Sequence, residues 1–243
     1  MDYYRKQIYD KYINVGLRER VNITKKQLQQ MSRWYKKAIG RFPPKDKQAR
    51  ILDLGCGNGA FLYFLKREGY KNILGIDVSP KQIELAKKIG INGVKCQDVL
   101  DFLKNSDEKF NVITAFDLIE HFRKDEFLLL SKLVYRALKA QGLFILRTIN
   151  GETPFSGRLR YANLTHEICF TRRSISSALL NANFKKVKDL PAYHYFPEGI
   201  RSSIKFTIWK IIEFGLRIYM MVETGNFKDN YIFTQNLLGV DYK

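Results

Sequence analysis

The sequence predicts an α/β fold built on a mostly parallel, doubly wound sheet. Three observations carry that expectation. Strand-like and helix-like segments alternate between residues 51 and 148, the pattern made by parallel strands joined through right-handed helical crossovers. Hydrophobic residues are 45% of the 243 and aromatics 14%, ample for a packed core and against disorder. A glycine-rich turn, Gly55-Cys56-Gly57-Asn58-Gly59, stands where the first strand gives way to the first helix.

The elements follow in order. Residues 24–41 place Leu28, Met31, Trp34, Tyr35 and Ile39 at helical spacing behind Thr24, a suitable N-cap, and Pro43-Pro44 ends the run. Strands are expected at 51–54, 73–77, 93–96, 111–116 and 143–148, with helices at 59–68, 80–89 and 123–139. A looser stretch containing Gly, Pro and Ser covers 150–165. Thr171 then caps a short helix at 172–182, and 184–190 and 231–240 read as further strands. The length suits one domain with additions. The expected organisation is a basic helical extension over 1–49, a core over 50–190, and a tail over 191–243 with a helical insertion and a strand that completes the sheet.

Charge is high and uneven. The net formal charge is +18, and residues 1–50 hold 14 Lys and Arg against 4 Asp and Glu. A basic arm of this kind attracts nucleic acid, anionic lipid or a phosphorylated substrate, or it simply solubilises the surface. Three cysteines, Cys56, Cys96 and Cys169, are an odd number without paired spacing, so free and mostly buried thiols in a reducing compartment are expected. Met1-Asp2-Tyr3-Tyr4-Arg5-Lys6 leads into charge, which does not resemble a signal peptide, and no uncharged apolar run is long enough to span a bilayer. A cytoplasmic protein is the expectation.

Gly55, Gly57 and Gly59 allow a tight turn and close approach of a ligand to the backbone and the helix N-terminus. Asp77 ends the second strand, placed to accept hydrogen bonds from ribose hydroxyls. Gly55-x-Gly57-x-x-Ala60 also fits a dinucleotide fingerprint, so a nicotinamide enzyme competes on spacing alone. Asp53 decides between them. A carboxylate ahead of the first glycine repels a pyrophosphate but suits the ammonium and sulfonium end of S-adenosylmethionine.

The ordered series ILDLGCGNG, GIDVS, CQDV, FDLIEHF and LKAQGLFILRT over 50–150 resembles the class I S-adenosylmethionine-dependent methyltransferases. That resemblance implies a Rossmann-like seven-stranded sheet with one antiparallel strand. By it, Asp77 binds the ribose, Val78 lies beside the adenine, Asp98 and Val99 meet the adenine edge, and Phe116 and Asp117 line the cleft near the methyl group.

Asp117, Glu120 and His121 stand at i, i+3 and i+4, on one face if the fourth strand runs into a helical turn. They could hold Mg2+ or Mn2+, or His121 could be a general base oriented by Glu120, or the pair could be a helix-start hydrogen bond without chemistry. His166 lies on the looser segment as a second candidate catalytic histidine. The series Asp-x-x-Glu-His, Thr148-x-Asn150, Thr165-His166-Glu167 is similar to O-methyltransferases of ubiquinone biosynthesis and to RNA 2′-O-methyltransferases. In the RNA family a Glu-x-x-Glu-His motif and a later histidine hold a metal; Asp117 replaces the first glutamate here.

Residues 200–222 read as a long helix with an apolar stripe of Ile204, Ile208, Ile211, Gly215, Ile218 and Val222, and with Arg201, Lys205, Lys210 and Arg217 on another side. Such a helix lies on an anionic membrane surface at the inner face, packs on the domain, or pairs two copies as a homodimer. The tail and the Trp34-Tyr35 helix resemble methyltransferases of bacterial polysaccharide gene clusters, which implies a glycan or small-molecule hydroxyl as acceptor. The alternatives are RNA 2′-O-methylation and a non-catalytic subunit that binds S-adenosylmethionine.

Overall fold

The computed structural model describes residues 23–194, 196–226 and 230–243. Much of the basic arm, residues 1–22, lies outside them. The chain opens on α1 (Lys25–Ile39), which Thr24 caps together with Gln27 in a reciprocal pair of side chain–backbone hydrogen bonds. Then come β1 (Arg50–Leu54), α2 (Ala60–Arg67), β2 (Asn72–Asp77), α3 (Pro80–Lys88), β3 (Val94–Cys96), α4 (Val99–Asn105) and β4 (Phe110–Phe116). A 3₁₀ turn (Ile119–His121) leads to α5 (Lys124–Ala137) and β5 (Leu138–Ile149). The chain ends with α6 (Ser156–Arg160), α7 (Arg172–Asn181), β6 (Lys186–Pro191), α8 (Ile200–Thr224) and β7 (Asn236–Tyr242).

The seven strands lie in the order β3-β2-β1-β4-β5-β7-β6. All run parallel except β7, which enters antiparallel between β5 and β6. Alternation along the strands feeds two cores. Leu52, Leu54, Ile113, Phe144 and Leu146 face α4, α5 and α7, whereas Ile51, Val112, Leu143 and Ile145 face α1, α2 and α3. The order reverses between β1 and β4, so their carboxyl ends open the crevice where doubly wound folds hold ligands.

Several elements differ from expectation. Helix α4 lies where no helix was expected; Asp98 caps it through the backbone N–H groups of Leu100 and Asp101. Strand β5 begins at Leu138, earlier than the expected 143, with Gln141 at a positive φ of 59° and a slip in the β4–β5 register between Phe110 and Val112. Strand β7 starts at Asn236 and not at 231. All three cysteines are free, but only Cys56 is buried. The apolar stripe of α8 does not pack on the domain.

Candidate active site

The glycine loop is held from both sides. Gly55 and Cys56 donate their N–H groups to the Ile76 carbonyl, and Gly57 N donates to Asp77 Oδ2 at 2.8 Å. Gly55, Gly57 and Gly59 all take positive φ, between 51° and 75°, which a side chain would strain. Asp77 accepts a second backbone donor, Ser79 N, at 2.8 Å on Oδ1. Burial raises its pKa, and these two amides oppose the rise. Each of its oxygens keeps a further lone pair for a ligand hydroxyl.

Asp53 lies beneath the loop, 2% exposed, and accepts from the Thr114 hydroxyl at 2.6 Å. Burial pushes its carboxyl up to about 7, the Thr114 bond pulls the other way, and the charge of Asp77 adds to the rise. Beyond the carboxyl ends of β2 and β3, Val78 is half-buried, and Asp98 has committed Oδ1 to the α4 cap. The Val99 side chain belongs to the core, so the contact expected of it with a ligand would be made by its backbone.

The second group of residues gathers at the carboxyl end of β4. Glu120 is 2% exposed, and its Oε2 accepts from the Thr148 hydroxyl at 2.8 Å. Burial, with Asp117 adding repulsion, raises its pKa. His166 Nδ1 lies 3.0 Å from the Leu159 carbonyl, which only accepts, so Nδ1 is the donor of that bond. His121 Nδ1 lies 2.8 Å from Thr165 Oγ1 and 3.3 Å from the Thr165 carbonyl. Thr165 Oγ1 donates to Asn163 Oδ1 at 3.0 Å, which makes His121 Nδ1 a donor as well. The two rings stand 4.9 Å apart in an edge-on arrangement. One ligand atom from each of Glu120, His121 and His166 can be chosen so that all lie within 4.8 Å of one another.

Asp117 does not join them, which corrects the expected set of Asp117, Glu120 and His121. Its φ of 52° breaks the helical spacing, and the turn that follows is 3₁₀. Its carboxylate is instead gripped by Arg147 from β5, with Nε at 2.8 Å from Oδ1 and the second nitrogen on Oδ2. The third side chain grouped with Glu120 and His121 is His166. Arg147 in turn lies under the Trp34 ring at 4.7 Å and near Phe116 at 5.8 Å. Phe116 packs edge-on to Phe61 at 4.9 Å, and Tyr35 lies against both. Sequence reasoning assigned no role to Arg147, Thr114, Thr148 or Thr165. A lone cation in the apolar run Phe144-Ile145-Leu146-Arg147 was the available signal for the first.

The methyltransferase-domain family matches residues 26–189. Human EEF1A lysine methyltransferase 2 is 36% identical over 118 residues, 42% of this chain and 48% of that protein. Ubiquinone biosynthesis O-methyltransferase of Pelagibacter ubique is 32% identical over 110 residues, 43% of each chain. This chain thus spans about half the length of the curated relatives it matches. An S-adenosylmethionine-dependent methyltransferase from Archaeoglobus fulgidus shares the fold across 100% of both chains, with a TM-score of 0.66 at 18% identity. With the glycine loop, the sheet order and this family match agreeing, the chain belongs to the methyltransferase-domain family.

Proposed function

We propose that the enzyme transfers the methyl group of S-adenosylmethionine to a hydroxyl oxygen, on a glycan or a similar small molecule. The observation that carries this reading is the pair His121 and His166, each holding Nδ1 against an acceptor oxygen, with their rings 4.9 Å apart beside the buried Glu120. A hydroxyl is a poor nucleophile at neutral pH and gains from a base, whereas a neutral amine does not need one. In this reading Asp53 faces the ammonium end of the cofactor, Asp77 holds the ribose, and Val78, Asp98 and the Val99 backbone border the adenine. Phe116 and Asp117, the latter fixed by Arg147, line the cleft near the methyl group.

The acceptor oxygen forms its bond to carbon as the sulfur–carbon bond breaks. The proton passes to an imidazole Nε2, leaving a methyl ether and S-adenosylhomocysteine. Holding donor and acceptor in line contributes roughly 7–11 kcal/mol, and the base a factor on the order of 10²–10⁴. A divalent ion is a second reading, supported by the three clustered ligand atoms. Two imidazoles and one carboxylate suit Mn2+ better than Mg2+, which prefers an all-oxygen shell. When bound, such an ion would acidify the hydroxyl.

The test is transfer from a radiolabelled methyl donor into cell extract fractions. Label is expected on hydroxyl-bearing compounds, and His121→Ala and His166→Ala are each expected to slow turnover by about 10²-fold or more with cofactor affinity unchanged. Chelation that abolishes turnover, restored by Mn2+, selects the metal reading over the base. Label found only on amines, such as protein lysines, would overturn O-methylation.

A further inference from the structure

Helix α8 is apolar on both sides: Phe206, Trp209, Leu216 and Met220 are half-buried on its domain side, and a second apolar face is turned to solvent, where a surface helix ordinarily carries polar residues. Glu213 is its only buried residue, 6% exposed, and accepts from Lys210 Nζ at 2.6 Å and an Arg217 nitrogen at 3.0 Å. Lys210 also reaches the Tyr193 hydroxyl, and Phe206 packs edge-on to the Tyr193 ring. On the opposite side Ile200, Ile204, Ile208, Ile211, Ile218 and Val222 recur at helical spacing, each between 46% and 83% exposed. Ile212, Phe214 and Tyr219 widen the stripe. A contiguous apolar face of this size marks an interaction surface.

Charge identifies what meets it. Between residues 200 and 222 the sole acid is Glu213, already paired twice, while Arg201 and Lys205 border the stripe. Helix α1 joins the same region, since Trp34 Nε1 donates to the Tyr193 carbonyl at 2.8 Å and Lys37 pairs with Glu198. It carries Lys25, Lys26, Arg33, Lys36 and Lys37 and no acid. Apolar side chains within a cationic margin complement hydrocarbon beneath anionic headgroups. A second copy of the chain fits less well. Two-stranded helix pairing favours charged residues beside the seam and a knob at each seam position, and here Ile212, Phe214 and Tyr219 flank a seam interrupted by Gly215.

We propose that α8 seats the enzyme in the headgroup layer of an anionic bilayer, lying in the plane of the membrane. No described helix is long and apolar enough to cross one. A cleft of about 700 Å³ beside α8 is lined by His194, Lys205, Trp209 and Gln235 among others. His194 Nε2 meets Gln235 Oε1 at 3.1 Å, and the Gln235 carbonyl accepts from Asn150 N at 2.9 Å, two residues beyond Thr148.

The test floats the full chain with vesicles of phosphatidylcholine containing about a third phosphatidylglycerol, against phosphatidylcholine alone. Wild type is expected to float with the anionic vesicles and to be released by salt. The triple variant Ile204→Ser, Ile211→Ser, Ile218→Ser is expected to partition at least about tenfold more weakly, with S-adenosylhomocysteine affinity unchanged. Failure of wild type to float, or equal flotation of the variant, overturns the proposal. So does a wild-type dimer in sedimentation that the variant converts to monomer without any vesicle binding, which assigns the face to self-association. Because cofactor affinity is read separately, failure here leaves the methyl-transfer reading standing.

Discussion

Asp53 ties the cofactor loop to pH. Its carboxyl titrates near 7 because it is buried, and a cation arriving beside it favours the ionised form. On the proposed placement of the S-adenosylmethionine ammonium group beside Asp53, the acid releases its proton as the cofactor enters. Affinity is expected to rise with pH up to about 7 and to level off above, a window set by the raised value of this one group. Calorimetric titration from about pH 5.5 to about pH 8.5 reads it. Asp53→Asn is expected to flatten the profile and to weaken binding about tenfold at the upper end, since the residue keeps its shape and loses its charge. Affinity that declines as pH rises would show that the carboxylate is not what the cofactor meets.

At the scale of elements, α1 is the piece that closes one side of the cleft. Tyr35 packs its ring against Phe61, Phe64 and Phe116, and Trp34 covers Arg147, which holds Asp117. Trp34→Ala removes that cover and the bond to the Tyr193 carbonyl together. We expect KM for S-adenosylmethionine to rise about tenfold, with a stability loss of about 1–3 kcal/mol, and Trp34→Phe to recover most of the former and less of the latter. Equal KM in all three proteins would reduce α1 to packing alone. This helix, its cap at Thr24 and its aromatic positions were legible in the sequence because helical spacing and capping are local signals. So were β1 through β4 and the glycine turn. The position of β7 between β5 and β6 was not, because antiparallel insertion depends on pairing across many residues. Helix α4 was missed because its cap, Asp98, was assigned to the ligand. The exclusion of Asp117 from the histidine cluster was hidden by a positive φ that spacing cannot reveal. Gly75 was quoted only as part of a motif, yet its need is spatial: a Cβ there would stand 2.6 Å from Leu62 Cδ1 and 2.7 Å from Cys56 Sγ.

Across the whole molecule, buried acids set how stability responds to pH. Asp241 on β7 is fully buried, and neither of its carboxylate oxygens has a well-formed hydrogen bond. Burial pushes it up to about 8, with repulsion from Asp189 on the neighbouring strand adding to the rise. Asp189 is itself raised to about 6, chiefly by burial, against the opposing Ser176 hydroxyl and Arg172. In the unfolded chain these groups ionise near the ordinary carboxylate value of 3.8, so between that pH and the raised values the folded state holds the extra protons. Their contribution to stability is therefore greatest below about pH 4 and is lost as pH climbs toward 8. For Asp241 alone the loss between about pH 5 and about pH 8 is on the order of 2–4 kcal/mol. Asp241→Asn, which mimics the protonated acid, is expected to raise the unfolding free energy by about 2 kcal/mol or more at pH 8 and by much less at pH 5. Urea denaturation at the two pH values measures both effects. A gain that is equal at the two values, or larger at pH 5, would mean that Asp241 is already ionised and compensated in the fold, and that this buried acid does not govern the response of the fold to alkali.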